Sequence, residues 1–562
     1  MALAITFIFC IIAARLLYVQ VAWGSDLKLR AADQWNREIP VIASRGIISD
    51  RNGTVLAGNR TTYSVFLRPN AVRNAEHTAN TLSAIFSLDA ENILKKIQGG
   101  KVSEVTVARQ VGKESIEQLV SNGLAGVYYS RDNSRQYTYN DALCQVLGFT
   151  SSDGSGISGI EKFYNTVLGG KNGEITYTTD IVGIETEKPV VVYREAKAGD
   201  EIRLTIDMDI QLAAENAIKN VYNSSKAKSA SCVVLNPQNF DILAMVNYPS
   251  YDLNNVPRDD TDALNSMSRN CLVSDIYEPG STFKVVTAAA NIEEYIRGNQ
   301  KAFSNSYIFN GSRTRTVDGT KIKCWADHSN GRHQNQTLAE ALNNSCNPCF
   351  TDIALSLGSE TFYNYLSAFG FGNVTGLDFN GEALGMLVPQ TAVRDCDLAR
   401  IGFGQTVAVT GIQLACAVAA AVNGGNYYIP RLLKSIISAD GKTVSENAPV
   451  LKNRAISGEA SAMLRGMLEG VVKEGSGKHA YIEGYKVGGK TGTAQKYEDG
   501  HVASGKYVSS FAGFFPANNP EYLVLIIVDE PQGTYYGSAV AAPVAKEIFE
   551  DIIKIKNIER YE

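Results

Sequence analysis

Three short stretches carry side chains capable of nucleophilic and acid–base work: Ser281-x-x-Lys284, Ser345-x-Asn347 and Lys490-Thr491-Gly492-Thr493. A serine hydroxyl attacks a carbonyl only when a base lies within hydrogen-bond reach. Pro279-Gly280 interrupts whatever precedes it, and Thr282 to Ile296 then reads as a helix, with Phe283, Val286, Ala290, Ile292 and Tyr295 near helical spacing. Ser281 therefore sits at a helix start, and Lys284 lies three residues on, on the same face. Burial and a helix N-terminus both disfavour an ammonium ion, so a lysine placed there can serve as the base. Ser-x-x-Lys alone recurs by chance on surface helices. Its occurrence in order with the other two stretches is far more specific.

A second group lies between the first two stretches: Cys324, Asp327 and His328 in Lys323-Cys324-Trp325-Ala326-Asp327-His328, then His333, Cys346 and Cys349. Cysteine, histidine and aspartate are zinc-type ligands, and Cys-x3-His is a workable spacing. One reading is a structural zinc held by Cys324, Asp327, His328 and Cys349, bracing the Ser345-x-Asn347 loop. The other is buried thiols beside a solvated loop. The chain has nine cysteines, an odd number scattered widely, which does not describe a disulfide framework. Most are expected to be small buried apolar residues.

The elements that must position these residues follow from local pattern. Cys232–Leu235 and Ile242–Val246 read as a hairpin around Pro237-Gln238-Asn239, and residues 337 to 357 as helix interrupted at Asn344 to Pro348. Leu398 to Ala421 is apolar and small, hence interior. Lys486 to Gln495 reads as a strand, Ser509–Pro516 and Tyr522–Val528 as a second hairpin, and Pro543–Ile558 as an amphipathic helix. Hairpins at both ends with a helical block between them imply an antiparallel sheet flanked by helices, an α+β arrangement. Upstream, Arg45 to Ala57 reads as strand, Asn-Gly turn, strand. Ala75 to Phe86 is helical, Gly156 to Tyr164 a structural loop opening a short helix, and residues 173 to 206 strand-like. Asp207 is the expected cap of a helix from Ile210 to Tyr222. A polar, helix-prone link is expected from Asp26 to Asn36.

At 562 residues, with 44% hydrophobic and 20% charged residues, the chain is ordinary folded protein too long for one core. A net charge of −5 without a basic run argues against nucleic acid as a partner. Met1 to Trp23 is almost wholly apolar and just long enough to span a membrane, with Arg15 able to snorkel and Tyr18 and Trp23 at one end. A cleaved signal peptide would want a basic leading region, and a buried core helix is the remaining alternative. An anchor would put everything after Ser25 on the far side, although no basic residue precedes it to fix orientation.

The ordered motifs resemble those of the penicillin-binding proteins, and more narrowly the monofunctional class B members. The supporting stretches are the anchor, Arg45-Gly46-Ile47-Ile48-Ser49-Asp50-Arg51-Asn52-Gly53, Gly159-Ile160-Glu161-Lys162, Leu204-Thr205-Ile206-Asp207, Glu278-Pro279-Gly280-Ser281 and Lys490 to Ala494. The resemblance implies an anchor over 1–23, a β-rich non-catalytic pedestal (dimerisation) domain over 24–225 and a transpeptidase domain over 226–562. Neither a glycosyltransferase domain before the pedestal nor a further domain after the last helix is expected. It implies that Ser281 is acylated by a D-Ala-D-Ala stem peptide and that Lys284 takes its proton. Ser345 would shuttle a proton to the leaving amine, and Asn347 would hydrogen-bond Lys284 and the substrate amide. Lys490 would lower the Lys284 pKa and attract the substrate carboxylate, with Thr491 and Thr493 as hydroxyl contacts. Gly492 would let the substrate backbone approach the strand. The backbone N–H groups of Ser281 and Thr493 would form the oxyanion hole.

The implied partners are peptidoglycan stem peptides, lipid-linked nascent glycan, β-lactams and a membrane glycan polymerase of the shape, elongation, division and sporulation type. Cys324-Trp325 and Ser345-Cys346-Asn347-Pro348 resemble the sporulation branch of Gram-positive relatives. No cofactor is required by this chemistry. Rival readings are a β-lactamase or D,D-carboxypeptidase of the same fold, a β-lactam sensor and a catalytically silent scaffold. The long pedestal and anchor speak against the first, a single span against the sensor, and intact Ser281, Lys284 and Lys490 against the scaffold.

Overall fold

An apolar helix, Ala2–Ala22, opens the chain and is long and apolar enough to cross a membrane. Its one cation, Arg15, lies over the rings of Tyr18 and Trp23 at 5.5 and 5.6 Å, which directs it toward the aromatic end of the helix. The structure, a computed structural model, describes residues 2–24, 27, 36–99, 104–178, 192–325, 333–498 and 501–560. The expected link from Asp26 to Asn36 lies largely outside the described residues, as do Asp327 and His328.

The chain divides into two units. The smaller comprises residues 1–46, 59–134 and 166–200. In it, helices Ala75–Phe86, Ala90–Gln98 and Lys113–Asn122 bury Leu82, Ile93 and Ile116 against Val65, Leu67 and Val111 of two antiparallel strands. Asn74 and Asp89 cap the first two helices through their side chains. Strands Asn36–Val41, Gly173–Thr178 and Val192–Arg194 form a separate antiparallel sheet.

The larger unit, residues 47–58, 135–165 and 201–562, is built on a five-stranded antiparallel sheet. Its strands are β1 (Ser229–Leu235), β2 (Ile242–Tyr248), β3 (Gly488–Glu498), β4 (His501–Phe515) and β5 (Tyr522–Asp529), in the order β2-β1-β5-β4-β3. Strand β3 is therefore an edge. The continuous apolar runs of β1 and β5 reflect burial on both faces. Helices Met208–Ser225 and Ala542–Lys556 cover one face, where Ile218, Ile548 and Phe549 meet Val234, Phe511 and Ile526. Helix Gly411–Val422, buried along its whole length, packs against the sheet and against helices Lys284–Ile296 and Gly458–Lys473. The expected hairpins and helices thus stand where the sequence placed them.

Asp207 does occupy the N-cap position of its helix, but its side chain makes no cap bond. The carboxylate instead accepts a hydrogen bond from Lys556 Nζ at 2.6 Å, tying the two covering helices together.

Glu161, in the Gly-rich stretch read as structural, is fully buried and pairs with Arg135 at 2.6 Å, the two side chains being 0% and 4% exposed. Removing one member of a buried pair strands the other charge, at a cost of about 3–5 kcal/mol. Glu161→Ala is expected to lower the unfolding free energy measured by urea titration by that much, whereas breaking a surface pair such as Lys113–Glu117 is expected to change it by under about 1 kcal/mol.

Candidate active site

The serine helix begins as a tight 3-10 turn, Gly280–Phe283, that continues into helix Lys284–Ile296. Gly280 takes φ of 55°, a left-handed conformation that glycine adopts without strain. The turn leaves Ser281 half-buried while Thr282, Phe283 and Lys284 are buried, Lys284 being 0% exposed. Helix Leu338–Asn343 opens with a Thr337/Glu340 capping box and stops just short of Ser345. Ser345 is held at φ of 54°, a costly conformation for a residue with a side chain, and helix Asn347–Ala368 restarts at Asn347 with Pro348 in its first turn. The interruption read from sequence is this turn, and it aims two polar side chains at the same lysine.

Lys284 Nζ lies 3.0 Å from Ser281 Oγ, 2.7 Å from Asn347 Oδ1, 2.7 Å from the Ser345 carbonyl and 3.2 Å from Ser345 Oγ. Lys490, equally buried, donates to Ser345 Oγ at 2.9 Å and to the Thr491 carbonyl at 3.2 Å. The five residues Ser281, Lys284, Ser345, Asn347 and Lys490 therefore share one hydrogen-bonded chain, with the Ser345 hydroxyl between two amines.

Burial pulls the Lys284 amine down to about 8, against a weaker upward pull from Cys346, Cys324 and Cys349. Burial, and then the neighbouring Lys284, hold Lys490 well below the usual lysine range. Desolvation, rather than the charge of Lys490, is thus the main cause of the basicity shift at Lys284.

Strand β3 is drawn against the serine turn by its glycines. A Cβ on Gly492 would lie 2.4 Å from Ser510 Oγ and 3.0 Å from the Pro279 carbonyl, so this residue serves the approach of strand to turn. That space is filled by protein, which revises the expectation that Gly492 clears the way for substrate. Thr493 Oγ1 accepts the Gly537 N–H at 3.0 Å, which fixes the loop carrying Tyr535 and Tyr536 beside the strand. Tyr535 stacks on Tyr507 with ring centres 3.9 Å apart. Thr491 Oγ1 donates to Ser476 Oγ at 3.0 Å. Ser476 and the tyrosine loop escaped the sequence reading; the only trace of the first is a Gly475-Ser476-Gly477 turn that resembles any loop.

A family model described as the penicillin binding protein transpeptidase domain matches residues 230–550, and one described as the penicillin-binding protein dimerisation domain matches residues 40–204. The chain belongs to the penicillin-binding transpeptidase family. Its two matched domains are those of the class B members. Stage V sporulation protein D of Bacillus subtilis is 38% identical over 548 residues, covering 97% of this penicillin-binding protein and 83% of that one. Peptidoglycan D,D-transpeptidase FtsI of Escherichia coli is 28% identical over 564 residues, covering 98% and 91%. Among solved structures, penicillin binding protein 2X from Streptococcus thermophilus superposes with a TM-score of 0.77 at 22% identity over 93% of this chain and 81% of that one. A peptidoglycan synthetase from Bifidobacterium adolescentis gives 0.75 at 24% identity, with 94% and 98% covered.

Beside the serine site, this penicillin-binding protein gathers Cys324, His333 and Cys346, whose ligand atoms all lie within 4.8 Å of one another. Cys324 Sγ is 3.3 Å from His333 Nδ1. Hydrogen bonding from Cys324 draws the Cys346 thiol down, but Cys349 and burial outweigh it and leave it at about 11. Cys349 is buried in the next turn and accepts from Gln336 Nε2 at 3.4 Å. Of the four ligands expected from sequence, Cys324 joins this cluster, Cys349 borders it, and Asp327 and His328 lie outside the described residues. His333 and Cys346 take the places beside Cys324.

Proposed function

We propose that the chain is a membrane-anchored peptidoglycan D,D-transpeptidase acting through an acyl-enzyme on Ser281. The observation that carries this reading is the 3.0 Å contact between Ser281 Oγ and a fully buried Lys284 amine whose basicity is lowered to about 8. Ser281 Oγ attacks the penultimate D-Ala carbonyl as its proton passes to neutral Lys284. The tetrahedral oxyanion sits on the backbone N–H groups of Ser281 and Thr493, each worth about 3 kcal/mol. Collapse breaks the peptide bond, and the departing D-Ala nitrogen takes a proton through the Ser345 hydroxyl, replenished from Lys284. An amine of a second stem peptide then attacks the ester, loses its proton along the same route and frees Ser281.

Asn347 orients Lys284. Lys490 reaches the reaction through Ser345, and its charge attracts the substrate carboxylate toward the Thr491 and Thr493 hydroxyls. β-Lactams acylate the same serine.

In this reading residues 1–23 are the anchor of a single-pass protein, followed by a pedestal and by the catalytic domain, outside the cytoplasm; of the 24–225 expected for the pedestal, helix Met208–Ser225, which covers the five-stranded sheet, goes with the catalytic domain. A membrane glycan polymerase supplies the lipid-linked strands, in division or in sporulation. The test is a D-Ala-D-Ala pentapeptide offered with an amine acceptor. Released D-Ala together with a cross-linked product, both blocked by benzylpenicillin, is the expected result. D-Ala release without product would make the enzyme a carboxypeptidase, and penicillin destruction without a lasting adduct a β-lactamase.

We propose further that a structural zinc is held beside the site through Cys324. Two thiols and an imidazole whose ligand atoms lie within 4.8 Å of one another are a zinc-type donor set, contributed by Cys324, His333 and Cys346, with Cys349, Asp327 and His328 close in sequence. Such an ion would brace the Ser345 turn through Cys346 and take no part in the acylation chemistry. Cys324→Ser is expected to remove about one equivalent of zinc from the purified protein and to lower its melting temperature. His333→Ala and His328→Ala distinguish the two candidate imidazoles. A wild-type protein without metal and with full activity would overturn the assignment.

A further inference from the structure

Glu278 stands three residues before Ser281 and takes no part in the hydrogen-bonded chain of the site. Its Oε1 accepts the backbone N–H of Thr406 at 2.8 Å. Thr406 is held at φ of 59°, a left-handed conformation that is strained for a β-branched residue and persists only where its surroundings impose it. The turn leading to Thr406 lies directly on the nucleophile's neighbour. Gly280 N–H donates to the Gly404 carbonyl at 2.9 Å. A Cβ on Gly404 would fall 2.0 Å from the Gly280 carbonyl, so the two backbones touch. Thr287 of the serine helix fastens the other end of this turn by donating to the Gly402 carbonyl at 2.8 Å. On its far side Gly280 abuts strand β3, where an added Cβ would meet Thr493 O and Ala494 Cβ at 3.3 Å. Gly280 is thus clamped between the turn of residues 402–406 and the strand that carries Thr493.

We infer that Glu278 is a positioning residue: by holding Thr406 it presses the Gly404 turn onto Gly280 and so fixes the Ser281 N–H where the oxyanion forms. This rests on the proposed role of Ser281 as nucleophile. What the turn requires is a side-chain oxygen that accepts this N–H, and Glu278 reaches it from the same strand-turn that bears the serine. The other oxygen, Oε2, is buried with no hydrogen-bond partner, so the side chain is not held by competing bonds at that atom.

The experiment follows penicillin acylation by intact mass at several drug concentrations, separating the affinity of the first complex from the rate of the covalent step. Glu278→Ala is expected to slow the covalent step by about tenfold or more, less than the 10²–10³ lost with an oxyanion donor itself, while the affinity of the first complex stays within about threefold. Glu278→Gln, which keeps an acceptor of the same shape, is expected to remain within about threefold of wild type. Thr406→Gly, placed on Glu278→Ala, is expected to recover part of the lost rate, because glycine adopts the left-handed conformation unaided. Wild-type acylation by Glu278→Ala, strictly additive effects of the two substitutions, or a Glu278→Gln rate as low as that of Glu278→Ala would each overturn the proposal. If Glu278→Ala does not fold, the Gln variant and the double variant decide it. A wild type that forms no adduct would overturn the serine reading and this proposal together, an outcome visible before any variant is made.

Discussion

Ser281→Ala is expected to abolish the stable penicillin adduct in intact-mass measurements and to cut transpeptidation by on the order of 10⁶ in kcat, the scale seen when a serine nucleophile is removed. The substitution deletes one oxygen at the start of a helix whose other contacts are untouched. Ser281 Oγ bonds Lys284, and Lys284 retains Asn347 and Ser345 as partners. Folding is therefore expected to be preserved, with a melting temperature within a few degrees of wild type. An adduct surviving on the alanine variant would place the nucleophile elsewhere and remove the mechanism proposed above.

Lys284→Met carries the second-largest effect. It keeps the length and the buried volume of the stem but removes the base, and general-base catalysis contributes about 10²–10⁴. The acylation rate of the wild type is expected to rise with pH through about 8, where burial has set the Lys284 amine, and to level off above it. The sign follows from the role: a base works deprotonated, so the rate falls as the amine takes up its proton. The methionine variant is expected to lose this limb.

The same shift bears on stability. An amine whose folded pKa lies below its unfolded value binds fewer protons when folded, so stability rises as pH climbs from about 8 toward the unfolded lysine range. Lys284→Met is expected to flatten that rise in thermal melts. An acylation profile without a limb near pH 8, or one unchanged in the variant, would assign the proton to another group, Lys490 first.

Much of this was written in the order of residues. Ser281 and Lys284 fall on one helical face because they are three apart, and spacing within a helix is set by local geometry alone. The break at Asn344 to Pro348 and the hairpin around Pro237-Gln238-Asn239 are punctuated by residues whose backbone preferences act over a few positions, as is the Asn518-Asn519-Pro520 link between Ser509–Pro516 and Tyr522–Val528. The apolar runs of β1 and β5 announced a buried sheet for the same local reason. What the sequence could not convey is which distant segments meet. The Ser345 turn reaches Lys284 only because helix Leu338–Asn343 ends there, and Lys490 reaches Ser345 because β3 is an edge strand drawn in by Gly492. Likewise His333 and Cys346, nine and 22 residues further on, stand beside Cys324 only once the chain folds. Asp207 sits at a cap position yet bonds Lys556, because a cation from a remote helix offers a charged partner. Glu278 entered the sequence reading only as part of the Glu278-Pro279-Gly280-Ser281 stretch, without a role, and its hold on Thr406 exists only once residues 402–406 fold back on Gly280. Local order sets conformation and chemical capacity; the burial that lowers the Lys284 amine and the contacts that align it arise only when the sheet and helices close around it.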